Sequence, residues 1–169
     1  MDYVYHYASP LGGITMASDG EALTGLWFDG QKYFGSTLKG EWEEKALPVF
    51  QEAEAWLNLY FSGAEPGFAP ALRLKASPFR EQVWEILKGI PYGRTMTYGE
   101  IAALAAEKLG REKISARAVG SAVGHNPVSL MIPCHRVIGA DGSLKGYAGG
   151  TDRKIRLLEL EQAEEKTLY

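Results

Sequence analysis

The only cysteine of the sequence, Cys134, is the residue best suited to nucleophilic chemistry. It lies in segment 131–138, whose sequence is Met-Ile-Pro-Cys-His-Arg-Val-Ile. A lone cysteine is most often a small buried hydrophobe. Here His135 and Arg136 follow it directly, and polar or cationic neighbours favour the thiolate, the reactive form of sulfur. Because adjacent side chains do not necessarily touch, we expect a histidine base to act through a water molecule or a turn.

Two glycine-rich stretches follow the cysteine. They cover residues 139–143 (Gly-Ala-Asp-Gly-Ser) and 146–150 (Gly-Tyr-Ala-Gly-Gly). Loops of this composition let backbone N–H groups come close to a ligand. We therefore expect backbone donors near Cys134.

The elements that must position these residues begin with a β-rich segment. Aromatic and β-compatible residues predict strands over 3–8, 13–18 and 22–28, and Asp19-Gly20 predicts a hairpin turn between the last two. A helix is predicted over Pro48–Tyr60, where apolar residues recur at three to four positions. Residues 64–70 contain two prolines and a glycine and are typical of a linker. We place the domain division there, with domains 1–71 and 72–169.

The second domain is predicted to be mostly helical. Ser77-Pro78 is a cap followed by proline at the first helical position. Thr97 and Glu100 form a capping box ahead of a helix to Ala106. Ser115 caps a small-sided helix over 116–124, and Thr151 begins a last helix. The two helices joined by a turn, 97–106 and 116–124, suggest a helix-turn-helix, although any helical bundle has this pattern.

Charge is distributed unevenly along the chain. Residues 1–70 carry 3 basic and 10 acidic side chains, a balance of −7, whereas residues 71–169 carry 15 basic and 11 acidic ones, a balance of +4. The basic second half could therefore contact DNA phosphates while the acidic first half faces away from the DNA. The alternative is that the imbalance reflects only two solvated faces.

Composition excludes several classes of protein. No apolar run approaches the roughly 20 residues of a membrane helix, and the N-terminus lacks a signal pattern. A single cysteine allows neither an intrachain disulfide nor a multi-cysteine zinc site. We expect a cytoplasmic protein without a metal or cofactor.

Beyond these patterns, the sequence resembles the O6-alkylguanine-DNA alkyltransferase family. Segment 133–137 (Pro-Cys-His-Arg-Val) matches the active-site motif of that family in full, and other matching motifs precede and follow it in order. They are Ser77-Pro78-Phe79, Pro91-Tyr92-Gly93, Thr97-Tyr98, Arg117-Ala118-Val119-Gly120, Asn126-Pro127 and Gly146-Tyr147-Ala148-Gly149-Gly150. The string spans nearly all of residues 72–161, and Ser9-Pro10-Leu11-Gly12 is similar to the family's N-terminal domain.

The resemblance implies catalytic roles for four residues. Cys134 is the implied alkyl acceptor, and His135 the base that takes its proton through a water molecule. Glu161 is the implied carboxylate that orients this histidine, although most such helix residues are solvated charges. Asn126 is the implied hinge that follows the recognition helix, the helix predicted over 116–124. It could equally be a helix-ending asparagine.

The resemblance also implies substrate and DNA contacts. Tyr98 assists base flipping and then hydrogen-bonds the guanine, the backbone carbonyls of Cys134 and Val137 receive its exocyclic amine, and Tyr147 forms a pocket wall. The N–H of Ala148 supports the leaving oxygen. Arg117 is the finger that occupies the vacated stack. The other implied DNA-binding residues, on the same helix, are Ala116, Ala118, Gly120 and Ser121.

By the same resemblance, the fold is α+β. A small ribonuclease-H-like N-terminal domain with an antiparallel sheet precedes a winged-helix-like helix-turn-helix domain. The implied function is direct repair of double-stranded DNA, in which a monomer flips out O6-alkylguanine, and also O4-alkylthymine, and transfers the alkyl group irreversibly to Cys134. Because no ordinary proton transfer cleaves a thioether, each molecule acts once.

Three departures from the family pattern are visible. Many relatives have serine at the position of Ala148, so any contact from a hydroxyl is absent. Segment 106–115 is longer than in some relatives, which affects the turn between the two DNA-facing helices. The zinc ligands of some animal relatives are missing, because the chain has one cysteine and three histidines.

Three alternatives remain open at this point. A lesion-binding protein of the alkyltransferase-like type would share the fold and the finger arginine but would lack the cysteine. A cysteine hydrolase with a Cys-His pair would turn over many times. A helix-turn-helix regulator would make Cys134 incidental.

Overall fold

The computed structural model describes residues 1–144 and 146–161, which form two compact units. The first contains Met1–Leu74 together with Pro127–Ser129, and the second contains Lys75–Asn126 and the described residues from Leu130 onward. The predicted α+β class is confirmed, with a sheet in the first unit and mostly helices in the second. Within the described residues, no helix has the length and apolar character needed to cross a membrane.

The first unit is built on a four-stranded sheet in the order β3-β2-β1-β4. Its strands are β1 (Asp2–Ser9), β2 (Gly12–Ser18), β3 (Leu23–Phe28) and β4 (Trp42–Glu44). The three predicted strands are present and antiparallel, while the short β4 was not predicted and pairs in parallel with β1. The predicted turn at Asp19-Gly20 forms because the Asp19 side chain accepts the N–H groups of Glu21 and Ala22.

Helix α1 (Pro48–Phe61) supplies much of the apolar core of the first unit. Proline occupies its first turn, where the missing N–H costs nothing. Its apolar face is buried as the spacing predicted, and the ring of Phe50 stacks on Tyr5 of β1 at 5.5 Å between centroids. The buried residues of α1 are Val49, Phe50, Ala53, Trp56, Leu57 and Tyr60.

The compact units differ from the predicted domain division at two places. The backbone of Leu23 pairs with the chain on both sides of Leu72, so residues up to Leu74 pack with the sheet. Residues 127–129, far along the sequence, also belong to the first unit because they pair with Leu26 of β3. Neither pairing is visible in local periodicity.

The second unit begins with three helices that follow their predicted caps. Ser77 caps α2 (Pro78–Lys88), Thr97 and Glu100 form the predicted capping box of α3 (Tyr98–Leu109), and Ser115 caps α4 (Ala116–Gly124). The helices pack on one another, and the indole of Trp84 in α2 donates to the Ala122 carbonyl of α4 at 2.9 Å.

The predicted end of α3 at Ala106 was wrong. The helix continues for three residues to Leu109 and ends at Gly110, whose φ of 65° is the left-handed conformation that suits glycine. The connection between the two helices is therefore only 110–115.

The remaining elements surround Cys134. A 3₁₀-helix, Cys134–Arg136, leads into β6 (Val137–Ile138), which pairs in parallel with β5 (Met96–Thr97). The predicted last helix is α5 (Thr151–Leu160). Because β5 directly precedes α3, this small two-stranded sheet joins the start of α3 to the cysteine segment.

Candidate active site

Cys134 opens the 3₁₀-helix and is almost fully buried, with 4% of its surface exposed. Pro133 precedes it, and the Cys134 N–H donates to the Ile132 carbonyl at 2.8 Å. The backbone is thus turned tightly on the N-terminal side of the sulfur, while the carbonyl of Cys134 accepts the N–H of Val137. This turn holds the cysteine and His135 on a single short element.

His135 and Glu161 form a fully buried pair. Nε2 of His135 lies 2.6 Å from Oε2 of Glu161. Burial lowers the pKa of His135, and the partial compensation from Glu161 does not restore it, so the imidazole is neutral. A neutral imidazole that donates from Nε2 carries its lone pair on Nδ1, the nitrogen that can then accept a proton.

Arg136 braces the same carboxylate. Its Nε donates to Oε1 of Glu161 at 2.8 Å, and one terminal nitrogen donates to Oε2 at 3.1 Å. Its other terminal nitrogen donates to the Ile90 carbonyl, while the Gly93 N–H donates to Glu161 at 3.2 Å. Burial alone raises the pKa of Glu161, but His135 and Arg136 outweigh it and hold the pKa well below its usual range.

The thiol itself is not ionised by its sequence neighbours. Burial raises the pKa of Cys134, and the groups that oppose this shift are the side chain of Asn126, which hydrogen-bonds the sulfur, and the charge of Lys154. Neither His135 nor Arg136 is among the groups whose charge acts on the thiol. His135 is neutral and Arg136 is paired with Glu161.

Lys154 is a site residue that the sequence analysis missed. It lies on α5, is completely buried, and its ammonium donates to the Val137 carbonyl. Burial lowers its pKa to about 8, partly offset by the charge of Cys134. A lysine in the first turn of a polar helix carries no sequence signal for burial, so only the packing reveals it.

Asn126 has two partners within the site. Its Nδ2 donates to the Ile132 carbonyl at 2.8 Å, and its side chain also hydrogen-bonds the sulfur of Cys134. The residue is 4% exposed and lies just beyond the end of α4. It thus connects the predicted DNA-facing helix to the predicted acceptor.

Tyr98 joins α3, α4 and the second glycine-rich loop. Its ring lies against Gly120, where an added Cβ would be 3.9 Å away, and its hydroxyl would lie 3.1 Å from a Cβ at Gly146. Burial, and then the charge of Cys134, raises the pKa of Tyr98. The phenol therefore stays protonated and can donate a hydrogen bond.

Tyr147 and Ala148 lie in the same loop. The ring of Tyr147 is buried and meets His135 edge to face at 6.5 Å between centroids. A Cβ at Gly149 would lie 2.5 Å from this ring, so glycine is required there. Ala148 is half-buried between them.

Helix α4 presents a small-sided exposed face. Ala116, Arg117 and Ser121 are exposed, Ala118 and Gly120 are half-buried, and Val119, Ala122 and Val123 are buried. Arg117 is the second residue of the helix and is exposed. The structure thus places Cys134 in hydrogen-bond contact with Asn126 and Val137, pairs the next residue, His135, with Glu161, and leaves Arg117 exposed.

Comparison with known proteins identifies the same family over both parts of the chain. Residues 3–74 match the model of the 6-O-methylguanine DNA methyltransferase ribonuclease-like domain, and residues 78–163 match that of the DNA-binding domain of the same family. The methylated-DNA–protein-cysteine methyltransferase of Mycobacterium tuberculosis is 44% identical over 155 residues, covering 92% of this chain and 89% of that protein. The methyltransferase of the same name from Methanosarcina acetivorans is 43% identical, with 94% and 97% covered.

Solved structures show the same similarity. The M. tuberculosis OGT in complex with DNA has a TM-score of 0.81 at 42% identity, covering 98% of each chain. An O6-methylguanine DNA methyltransferase from Methanococcus jannaschii has a TM-score of 0.62 at 32% identity, with 95% of this chain and 94% of that chain covered. The fold and the site define a DNA methyltransferase in which a ribonuclease-like unit is followed by a helical DNA-binding unit that contains the cysteine. The chain belongs to the 6-O-methylguanine DNA methyltransferase family.

Proposed function

We propose that this protein repairs DNA by transferring the alkyl group of O6-alkylguanine to Cys134. The observation that carries the proposal is the burial of Cys134 among polar groups: its sulfur hydrogen-bonds Asn126, and the next residue, His135, pairs with Glu161. A buried structural cysteine needs none of these polar partners. O4-alkylthymine, which carries its alkyl group on an equivalent exocyclic oxygen, is the second proposed substrate.

Proton removal from the thiol comes first, because burial favours its neutral form. His135 takes this proton through a water molecule, and the Glu161 carboxylate 2.6 Å from Nε2 stabilises the imidazolium that forms. Arg136 keeps Glu161 ionised and oriented for this task. Lys154 supplies a positive charge that stabilises the thiolate.

The thiolate then displaces guanine from the alkyl carbon. The sulfur–carbon bond forms as the carbon–O6 bond breaks, and O6 keeps the electron pair. Tyr98 and the Ala148 N–H donate hydrogen bonds to this oxygen as its charge develops. The products are a thioether on Cys134 and a guanine anion, which takes up one proton to become the unmodified base.

Guanine is selected by two backbone carbonyls, those of Cys134 and Val137. Each already accepts one hydrogen bond, from the Val137 N–H and from Lys154 respectively. A carbonyl oxygen has two lone pairs, so each can accept a further bond from the exocyclic amine. Lys154 thereby also orients the Val137 acceptor.

The DNA contact is assigned to the exposed face of α4. Ala116, Ala118, Gly120 and Ser121 are small enough to let the helix approach a groove, and Arg117 fills the space left by the flipped base. The target atom is hidden within the duplex, so flipping at a cost of a few kcal/mol precedes the reaction. We propose that the protein acts as a monomer, since one chain supplies every proposed residue. We also propose that it acts in the cytoplasm, where thiols stay reduced.

The stoichiometry of repair tests this proposal. With duplex DNA containing O6-methylguanine in excess, methyl groups removed should plateau at about one per active protein molecule, because the thioether has no route back. A hydrolase would continue to turn over. A protein that only binds lesions, or a DNA-binding regulator, would remove none.

Replacing Lys154 by methionine should slow transfer about tenfold or more. A nearby positive charge lowers a thiol pKa by about one unit or more, and methionine fills the same space without the charge. In the wild type, the ammonium is present below pH 8 and is lost as pH rises through its pKa of about 8. The rate constant for free O6-benzylguanine should therefore carry a declining component above pH 8 that the Lys154→Met variant lacks.

Identical pH profiles for the wild type and Lys154→Met would contradict this role. Because a buried residue is replaced, the folded fraction of the variant must be checked by circular dichroism at each pH. The rate constant is then expressed per folded molecule.

Replacing Arg117 by alanine should slow duplex repair by about 1–3 kcal/mol in activation free energy, if the lost contact resembles stacking. Reaction with free O6-benzylguanine should change little, since a free base needs no flipping. Lys113→Ala is a matched control, because it removes an exposed basic residue just before α4. Its effect should vanish at raised salt, whereas the Arg117 effect should persist. Equal slowing on duplex and free base would remove the finger role.

A further inference from the structure

A short extended segment, Pro127–Ser129, connects Asn126 to the residues that lead to Cys134. Although its sequence neighbours belong to the second unit, the segment packs with the sheet of the first. The Leu26 N–H donates to the Pro127 carbonyl at 2.8 Å, and the Ser129 N–H donates to the Leu26 carbonyl at 2.9 Å. Val128 forms a parallel β-bridge with Leu26 and is completely buried. The segment therefore behaves as an added strand at the edge of β3.

One side chain ties this added strand to the end of β3. Oε1 of Gln31 accepts the Phe28 N–H at 2.8 Å and the Ser129 hydroxyl at 3.3 Å. Gln31 and Ser129 are 7% and 1% exposed, so both bonds are shielded from water. A single buried oxygen thus adds a side-chain contact to the backbone bond that holds Ser129 against β3.

The next residue adopts an unfavourable backbone conformation. Leu130 is buried and has a φ of 72°, a left-handed value that branched residues rarely adopt. Such a conformation persists only where the surroundings impose it. On one side the surroundings are the Ser129 contacts, and on the other the Asn126 bond to the Ile132 carbonyl. From this turn, the chain reaches Cys134 in four residues.

We infer that Gln31 is a positioning residue for alkyl transfer, acting through Ser129 to hold the turn at Leu130 from which the Cys134 segment starts. The inference rests on the proposed function of Cys134. It assigns to the first unit a defined contribution to the reaction, through a side chain that touches neither substrate nor the sulfur. Loss of the Gln31 oxygen releases the Leu130 turn and lets the cysteine segment sample positions that do not react.

The test measures single-turnover transfer from free O6-benzylguanine by the whole chain, over a range of base concentrations. Gln31→Met keeps the length of the side chain without the acceptor oxygen and should lower the maximal rate constant about tenfold, the scale of a lost buried hydrogen bond. The half-saturating concentration should change little. Gln31→Glu keeps an acceptor for both donors and should retain most of the rate, even though burying a charge lowers its melting temperature.

Ser18→Ala is the matched control. Ser18 is a buried residue of the same sheet whose hydroxyl donates to the Ala22 carbonyl at 2.6 Å, away from the added strand. It should lower the melting temperature without lowering the rate constant. Ser129→Ala should slow transfer, and in the Gln31→Met background it should add little, because both changes break one contact.

The inference is overturned if Gln31→Met and Ser129→Ala react at the wild-type rate, or if Ser18→Ala slows transfer as much as they do. If Gln31→Met does not fold, Ser129→Ala decides the matter on the same criteria, since it leaves the Phe28 contact in place. A wild-type protein that reacts with neither free base nor duplex would instead refute the proposed function.

Discussion

Replacing Cys134 by serine should abolish alkyl transfer while leaving DNA binding within about twofold of the wild type. Serine is smaller by only the difference between oxygen and sulfur and fits the same buried position. Its hydroxyl has no accessible anion near neutral pH, whereas a thiol supplies a reactive one. The proposed DNA-facing residues lie on α4 and are unchanged. Transfer is measured with duplex DNA containing O6-methylguanine, and binding with the same duplex by fluorescence anisotropy.

The two readouts separate the alternatives. Retained transfer by Cys134→Ser would show that another group is the acceptor. Loss of binding together with transfer would mean that the substitution disturbs the fold, which circular dichroism would reveal. A lesion-binding protein would show no transfer in either form of the chain.

Substitutions at His135 and Glu161 should be strongly coupled. His135→Ala removes the proposed base and should slow transfer about 100-fold or more. Glu161→Gln removes the charge but keeps an oxygen that can accept from Arg136, so it should cost about tenfold by itself. In the His135→Ala background, Glu161→Gln should add little, because its effect on the proton relay passes through the 2.6 Å contact to His135.

If the losses in activation free energy of the two single variants add fully in the double variant, Glu161 does not act through His135. It then acts only through its contact with Arg136 and its contribution to folding. Removing one partner of a buried ion pair typically costs about 3–5 kcal/mol of stability. Melting temperatures of all three variants therefore accompany the rate constants. Arg136→Lys is the control, because it weakens the bidentate contact to Glu161 and leaves the His135 contact in place.

Local signals predicted the starts of α2, α3 and α4 because each of these helices carries its own side-chain cap, whereas α1 and α5 begin without one. The Thr97–Glu100 capping box and the Ser115 cap are satisfied within a few residues, so the start of each helix is encoded locally. The end of α3 was misplaced because charged residues follow Ala106 and interrupt the apolar pattern. Gly110, the residue that actually ends the helix, lies further on.

Long-range partners could not be predicted from the residues alone. Glu161 lies 26 positions from His135, and a glutamate at the end of a polar helix is typical of a solvated residue. Lys154 likewise is recognised as a site residue only from the structure, in which it is buried and donates to the Val137 carbonyl. The role of Glu161 was suggested by the family resemblance, and that of Lys154 by nothing in the sequence analysis.

The pairing of Pro127–Ser129 with Leu26 shows a second kind of contact that local sequence patterns do not predict. The residues are about a hundred positions apart, and neither segment carries a pattern that selects the other. The Asn-Pro dipeptide indicated only that the helix ends. A division of the chain at one point between 71 and 72 therefore could not anticipate a later segment that joins the first unit.

Mass analysis of the peptide that carries Cys134 tests the central claim most directly. After reaction with duplex DNA containing O6-methylguanine, trypsin cleaves at Arg117 and Arg136 and releases residues 118–136, which contain the only cysteine. We predict that this peptide gains the mass of one methylene group and that fragmentation assigns the gain to Cys134. An unmodified peptide after the lesion has disappeared, or a methyl group on any other residue, would contradict the account.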